Sequence, residues 1–253
     1  MIEAVAERRT RLSRPAVGAT SKEHLIAANV DQVLVVVAAK EPPIRFAFID
    51  RVLVAAERGG MKPAICLNKT DLDAGGAAVE SVRVYKRIGY PLFPVSAEAR
   101  SGLVSLREFL QGRITVLAGH SGVGKSSILT AIQPNLHLRT GDLSEKTGKG
   151  RHTTTSASLL PLDFGGWVVD TPGIRAFGLA GVEPAGLAHH YPEMRPHIDR
   201  CRYRGCTHTH EPECAVKAAL EKGLVSAVRY ESYRKIVESI SAGLEGEERR
   251  TAE

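Results

Sequence analysis

Gly119-His120-Ser121-Gly122-Val123-Gly124-Lys125-Ser126 is the stretch that decides the fold, because it matches the G-x-x-x-x-G-K-[ST] pattern of a phosphate-binding loop. The residues before it, 114–118, predict a short buried strand, and residues 127–132 predict the start of a helix. The backbone amides of such a loop, with the helix N-terminus, form a cradle for anionic oxygens. Lys125 can reach the β- and γ-phosphates, and the Ser126 hydroxyl can bind Mg²⁺. The stretch therefore predicts a site for a nucleoside triphosphate with Mg²⁺.

The residues upstream of this loop alternate between buried runs and amphipathic segments. Strands are predicted at 32–38, 63–67 and 91–95, and helices near 46–58, 77–88 and 103–110. Downstream, 159–164 and 167–169 predict a hairpin that turns at Gly165-Gly166. Strands that alternate with helices indicate an α/β fold with a doubly wound, mostly parallel sheet.

A second motif, Asn68-Lys69-Thr70-Asp71, directly follows the predicted strand at 63–67. The Asp71 carboxylate can accept both N1–H and N2–H₂ of guanine, a charge-assisted pair that adenine does not offer. The Lys69 stem can lie along the base, and Asn68 can tie this motif to the phosphate-binding loop. An exposed turn is the alternative for so short a motif, but its place after a buried strand favours guanine binding. Ser96-Ala97, after the next strand, can offer a backbone N–H to guanine O6.

A third segment, Asp170-Thr171-Pro172-Gly173, follows the last predicted strand. Asp170 can hold Mg²⁺ through its water shell, and the Gly173 N–H can contact the γ-phosphate. One threonine of 153–155 is expected to close onto Mg²⁺ and the γ-phosphate, as switch loops do. Thr154 is taken for that role, although the sequence does not distinguish the three. The alternative for these threonines is a solvated stretch with β propensity.

The order of the motifs is unusual, since the guanine motif precedes the phosphate-binding loop. In ordinary GTPases the loop comes first, so this core is predicted to be circularly permuted. Ile174 stands after Gly173, where many GTPases place a water-orienting glutamine. We therefore expect slow hydrolysis by the protein alone. His152 is the candidate for orienting the water, and the equal alternative is that it contacts a phosphate or a partner.

Three cysteines and a histidine cluster near the C-terminus, at Cys201, Cys206, His208 and Cys214. Three thiolates and one imidazole form the donor set of a tetrahedral structural zinc site. His210 is the closest rival to His208, and His197 is a weaker one. Redox-active or simply buried thiols are the alternative. The sequence thus predicts one structural zinc ion in a small, mainly α-helical region.

Taken together, these motifs and the runs Gly150-Arg151-His152-Thr153-Thr154-Thr155 and Cys201-Arg202-Tyr203-Arg204-Gly205-Cys206-Thr207-His208 resemble the small ribosomal subunit biogenesis GTPase family RsgA, also called YjeQ or EngC. The resemblance covers roughly residues 25–240. It implies a GTPase stimulated by the 30S ribosomal subunit, with contacts to 16S rRNA and zinc held by the four residues named above. A monomer is expected. The nucleotide site then comprises Asn68, Lys69, Asp71, Ser96, Ala97, Gly119, His120, Ser121, Gly122, Val123, Gly124, Lys125, Ser126, Ser127, Thr154, Asp170 and Gly173, with Ser126 and Asp170 toward Mg²⁺.

The domain organisation departs from that family at the N-terminus. The family carries an N-terminal OB-fold, a five-stranded barrel, whereas Ile2 to Pro15 resembles at most its last strand. The chain is therefore predicted to lack most of that barrel. The expected boundaries are an arm at 1–24, a GTPase domain at 25–178, a zinc-binding domain at 179–240 and a disordered tail at 241–253.

Composition says more about where the protein acts and on what kind of partner than about the reaction it catalyses. The chain has 253 residues and a net charge of +6, which is compatible with a nucleic-acid partner. Residues 1–14 lack the apolar core of a secretory signal, and the longest apolar run is too short to span a membrane. A cytoplasmic protein without a membrane partner is predicted. Two other functions stay open: a GTP-gated RNA-binding module with negligible turnover, and a permuted GTPase that acts on another ribonucleoprotein.

Overall fold

A computed structural model describes residues 7–16, 19–135, 158–170, 179 and 181–251. His152, Thr153–Thr155 and Thr171–Ile174 lie outside the described residues. The strands are β1 (Arg11–Ala16), β2 (Ala19–Ala28), β3 (Gln32–Ala38), β4 (Lys62–Asn68), β5 (Leu92–Pro94), β6 (Ile114–Ala118), β7 (Ser158–Pro161) and β8 (Trp167–Asp170). The α-helices are α1 (Phe46–Arg58), α2 (Ala77–Arg87), α3 (Leu103–Leu110), α4 (Lys125–Ile132), α5 (Arg195–Ile198), α6 (Ala215–Glu221) and α7 (Ala227–Thr251).

The chain divides into two units. The first comprises residues 1–12, 26–44 and 59–176, and the second comprises 13–25, 45–58 and 177–253. The sequence assigned 46–58 to the GTPase domain, whereas α1 belongs with the C-terminal helices of the second unit, where it contacts α7.

The first unit contains a six-stranded sheet with the order β5-β4-β3-β6-β8-β7. All neighbours are parallel except β7 and β8, which form the predicted hairpin with Pro161 opposite Trp167. β3 is buried along its whole length, as expected for a central parallel strand covered on both faces. The sheet confirms the predicted permuted α/β fold, because the strand that leads into the guanine motif precedes the strand that leads into the phosphate-binding loop.

The core of the first unit lies beneath the phosphate-binding loop. Val36 on β3, Leu117 on β6 and Leu129 on α4 belong to one cluster of buried apolar side chains. This packing fixes where α4 begins, and therefore where the loop that precedes it stands.

The N-terminal segment is more ordered than an arm, since β1 and β2 form a two-stranded sheet. The N–H of Arg11 donates to the carbonyl of Gly59 at 3.0 Å. A Cβ on Gly59 would lie 2.0 Å from the Arg11 carbonyl oxygen. Leu12 is buried. The segment is therefore held by an apolar contact that was not predicted, because most of its residues are charged or polar.

The second unit is mainly helical, as predicted. Tyr191, Tyr233, Ile236 and Val216 belong to its buried apolar cluster. Where the sequence predicts a disordered tail from residue 241, α7 continues to Thr251. The glutamates and arginines of this stretch favour a helix, and their charge misled the prediction. Within the described part of the chain, no helix is both long and apolar enough to cross a membrane.

Candidate functional site

The predicted nucleotide motifs gather at one edge of the sheet in the first unit. β6 leads into the phosphate-binding loop, β4 ends at Asn68, β5 leads into Ser96, and β8 ends at Asp170. These four strands run parallel to one another within the sheet, so their carboxyl ends share one edge. Ligands of open α/β sheets bind at this edge.

Asn68 joins three of these segments. Its side-chain Nδ2 donates to the Val123 carbonyl of the phosphate-binding loop at 2.9 Å. Its Oδ1 accepts from the Ala97 N–H at 3.1 Å, and the residue is only 2% exposed. Asn68 therefore ties the guanine motif to the phosphate-binding loop, as the sequence predicted. The Ala97 N–H donates to Asn68 here, and its contact with guanine O6 stays a prediction.

Asp71 is exposed and oriented by Ser96. The buried Ser96 hydroxyl donates to Asp71 Oδ1 and accepts from the Ala99 N–H at 2.9 Å. Thr70 N–H donates to the Val95 carbonyl at 3.2 Å, which fixes the start of the same turn. Only a backbone role was predicted for Ser96, whereas its hydroxyl orients the carboxylate that would bind the base.

The phosphate-binding loop approaches its neighbours closely through its glycines. A Cβ on Gly119 would lie 2.5 Å from the Val36 carbonyl oxygen, and a Cβ on Gly124 would lie 2.3 Å from Asn68 Nδ2. Lys125 Nζ donates to the carbonyls of Gly119 and His120 at 2.7 and 3.0 Å. The lysine thus lies over its own loop, where its ammonium can meet phosphate oxygens.

Replacing Gly124 with alanine should weaken GDP binding by at least about tenfold. The new methyl group would displace the Asn68 side chain, and alanine is disfavoured at the positive φ of this position. Gly122→Ala is the matched control. Its φ of +81° is similar to the +90° of Gly124, but its Cβ would meet only Pro42 Cδ, at 3.8 Å. Calorimetric titration with GDP measures both, and equal losses for the two variants would show that the contact with Asn68 is not the cause.

The four cysteine and histidine side chains form one compact cluster in the second unit. Their ligand atoms all lie within 4.8 Å of one another. Cys201 Sγ lies 3.9 Å from Cys214 Sγ, and His208 Nδ1 lies 3.4 Å from each of these sulfurs. Two sulfurs bound to one tetrahedral zinc ion are about 3.8 Å apart. The donors therefore fit a metal ion of that size and geometry.

Burial shifts the pKa values of His208 and of two cysteines in the cluster, in opposite directions. Burial lowers the pKa of His208, despite Glu211, so its imidazole is neutral and able to bind metal through Nδ1. Burial raises the pKa of Cys206 to about 12 and also raises that of Cys214. Thiols buried in this way become thiolates when a cation replaces their protons.

The loop that carries His208 is held from two sides. Tyr230 and Tyr233 on α7 donate from their hydroxyls to the carbonyls of His208 and Thr207, each at 2.7 Å. Glu211 accepts from the Thr207 N–H and hydroxyl, both at 2.7 Å. Burial alone would raise the pKa of Glu211, but the hydrogen bonds from Thr207 and others outweigh it and lower the pKa to about 2.

The two rival histidines lie outside the cluster. His210 is exposed and contacts the Thr209 hydroxyl at 3.1 Å, and His197 is not among the clustered donors. The spacing of the cysteines and histidines in the sequence did not show whether His208 or His210 is the fourth ligand. The left-handed backbone of His208, with φ 58°, turns its ring inward.

The second unit also contains a buried charge cluster that the sequence did not predict. Arg229 on α7 donates to Asp50 of α1 and to Glu193, the latter at 2.7 Å. Its guanidinium stacks 4.3 Å from the centre of the Tyr191 ring. Burial alone would lower the pKa of Arg229, but the two carboxylates outweigh it and raise the pKa well above its usual value.

Comparison with known proteins gives one family. The RsgA GTPase family model matches residues 5–180. A small ribosomal subunit biogenesis GTPase RsgA from Gemmatimonas aurantiaca is 44% identical over 229 residues, covering 90% of this chain and 75% of that protein. The protein of the same name from Flavobacterium johnsoniae is 38% identical over 240 residues, covering 94% of this chain and 74% of that protein.

The chain is also similar to solved crystal structures, among them the following two. The structure of YjeQ from Thermotoga maritima has a TM-score of 0.76 and 38% sequence identity, with 94% of this chain and 77% of the other covered. The structure of YloQ, described as a circularly permuted GTPase, has a TM-score of 0.69 and 31% identity, with 94% of this chain and 74% of the other covered.

Proposed function

This chain belongs to the RsgA GTPase family, and from that premise we propose that it hydrolyses GTP in the maturation of the small ribosomal subunit. The observation that carries the proposal is the pair of hydrogen bonds made by the Asn68 side chain. One is donated to the phosphate-binding loop, and the other is accepted from the segment after β5. A buried side chain with these partners holds the base-binding and phosphate-binding segments in place relative to each other, as a nucleotide site requires. The related proteins are named as small ribosomal subunit biogenesis GTPases.

In the proposed site, the phosphate-binding loop holds the phosphates and the guanine motif holds the base. Ser126 and Asp170 would hold Mg²⁺, which supplies charge stabilisation at the β- and γ-phosphates when bound. Thr154 and Gly173 would contact the γ-phosphate, and both lie outside the described residues. The remaining proposed contacts are Asn68, Lys69, Asp71, Ser96, Ala97, the loop residues 119–125 and Ser127.

Replacing Asp71 with asparagine should weaken GDP binding by about tenfold to a hundredfold, since two charge-assisted hydrogen bonds to guanine are lost. The same variant should gain affinity for xanthosine diphosphate, because an asparagine amide can donate to the carbonyl at C2 of xanthine. Competition titrations with both nucleotides measure the change. Asp73→Asn is the control on the same turn, where the carboxylate accepts from the Ala78 and Val79 N–H groups instead. Unaltered preference in Asp71→Asn would contradict the assignment.

His152 is proposed to orient the attacking water, since Ile174 has no polar group for that task. His152→Ala should lower the maximal rate of GTP hydrolysis by about a hundredfold, a typical loss for a positioned polar group. GDP affinity should stay unchanged. Unchanged turnover in the presence of small ribosomal subunits would assign His152 to binding instead.

The metal in the second unit is proposed to be a single structural zinc ion, bound by Cys201, Cys206, His208 and Cys214. Its role would be to stabilise the loop 201–214, because four protein donors leave no open position for a reactant. The donor distances and the neutral imidazole of His208 support this choice.

The proposed partner is ribosomal RNA of the small subunit, met by a monomer in the cytoplasm. Arg202, Tyr203 and Arg204 are exposed on the loop between Cys201 and Cys206, and guanidinium and aromatic groups suit phosphates and unstacked bases. Co-sedimentation with separated ribosomal subunits tests the partner. We expect binding to small subunits with a non-hydrolysable GTP analogue and loss of binding with GDP. Equal binding to large subunits would point to another ribonucleoprotein.

A further inference from the structure

The loop Lys40–Pro43 leaves the carboxyl end of β3, between the two strands that carry the nucleotide motifs. β3 pairs with β4 on one side and with β6 on the other. At its end, the Ala39 N–H donates to the Asn68 carbonyl at 2.8 Å, which continues the ladder into the guanine motif. The topology thus places this loop beside the base-binding and the phosphate-binding segments, although it carries no recognised motif.

One hydrogen bond links this loop to the guanine motif, and the loop also lies near the phosphate-binding loop. Lys69 Nζ donates to the Glu41 carbonyl at 2.5 Å. Pro42 Cδ lies 3.8 Å from the position that a Cβ on Gly122 would occupy. The end of the Lys69 side chain is therefore held by the loop after β3, and that loop lies close to Gly122 of the phosphate-binding loop.

The backbone on both sides of this hydrogen bond is in an uncommon conformation. Glu41 has φ 46° and Lys69 has φ 61°, in the left-handed region that non-glycine residues seldom adopt. Such strain is retained where surrounding contacts determine the conformation, and it is frequent in ligand sites. Here it aims the Glu41 carbonyl and the Lys69 stem toward each other.

We propose that the Lys40–Pro43 loop is a positioning element of the guanine pocket, in which the Glu41 carbonyl fixes Lys69 so that its alkyl stem is ready to cover the base. A lysine stem loses considerable rotamer freedom when it is ordered. Holding the ammonium before the nucleotide arrives lowers that cost at binding. The inference rests on the proposed guanine site and assigns to it a residue range that the guanine motif does not include.

A double-mutant cycle tests the link. The variants are Pro42→Gly, which loosens the loop, Lys69→Met, which keeps the stem but removes the donor, and the two combined. Pro134→Gly is the control, since it makes the same chemical change at an exposed position outside this loop. The measurement is the dissociation constant of a fluorescent GDP analogue, with thermal unfolding recorded for each variant.

Pro42→Gly and Lys69→Met should each weaken GDP binding by about fivefold to tenfold, and the double variant should lose no more than about twofold beyond Lys69→Met. Pro42→Gly should raise KM for GTP while the maximal rate changes by less than about twofold. Additive losses in the double variant, or an equal loss in Pro134→Gly, would overturn the inference. If the unaltered protein prefers ADP to GDP, the proposed function itself fails, so the two failures are distinguishable.

Discussion

Replacing His208 with alanine is expected to abolish metal retention and to unfold the loop 201–214, the largest effect that we foresee from one substitution. The purified unaltered protein should carry about one zinc ion per chain, and the variant should carry almost none, because three thiolates alone leave a tetrahedral site incomplete. Structural zinc contributes its binding free energy to folding. The loss should therefore appear both in metal analysis and as a lower unfolding temperature of the second unit.

His210→Ala is the matched control for this experiment. His210 is two positions away and exposed, and it contacts Thr209 rather than the cluster. The His210→Ala variant should retain its zinc and its unfolding temperature. Treating the unaltered protein with a chelator should reproduce the His208→Ala behaviour. If His210→Ala loses zinc while His208→Ala keeps it, the ligand assignment is wrong.

Replacing Arg229 with alanine should destabilise the second unit by about 3–5 kcal/mol, since the removal of one partner leaves buried carboxylates uncompensated. The side chains of Arg229 and Asp50 are 1% and 0% exposed, and that of Glu193 is 6% exposed. Urea denaturation in zinc-containing buffer measures the free energy of unfolding. The truncated side chain would also remove the stacking on Tyr191.

Arg234→Ala is the control on the same helix. Its side chain is 45% exposed and pairs with Glu231 and Glu238 at 3.7 and 3.4 Å. Exposed pairs of this kind contribute less than about 1 kcal/mol, so this variant should stay close to the unaltered protein. If Arg229→Ala and Arg234→Ala lose similar free energies of unfolding, burial does not explain how much the charge cluster contributes to stability.

The sequence predicted the sheet well because its signals are local. The continuous β-branched run at 32–38 has the composition of a strand covered on both faces, and β3 has these bounds. The phosphate-binding loop and the guanine motif each carry their own chemistry within eight residues or fewer. Their order along the chain was sufficient to predict the permuted fold.

Features that depend on distant contacts were not predictable. Asp50 and Arg229 are 179 positions apart, and no spacing rule links one acidic residue of an amphipathic helix to one arginine of another. The same holds for Lys69 and the Glu41 carbonyl, because backbone acceptors leave no signature in side-chain patterns. The choice of His208 over His210 likewise required the turn that directs only one ring toward the sulfurs.

We propose that small ribosomal subunits stimulate GTP hydrolysis by this protein. The most direct test is the rate of phosphate release from GTP by the purified protein, alone and with purified small subunits at a saturating concentration. We predict stimulation of at least about tenfold, which corresponds to about 1.4 kcal/mol of transition-state stabilisation. A rate that is the same with and without small subunits would contradict the claim.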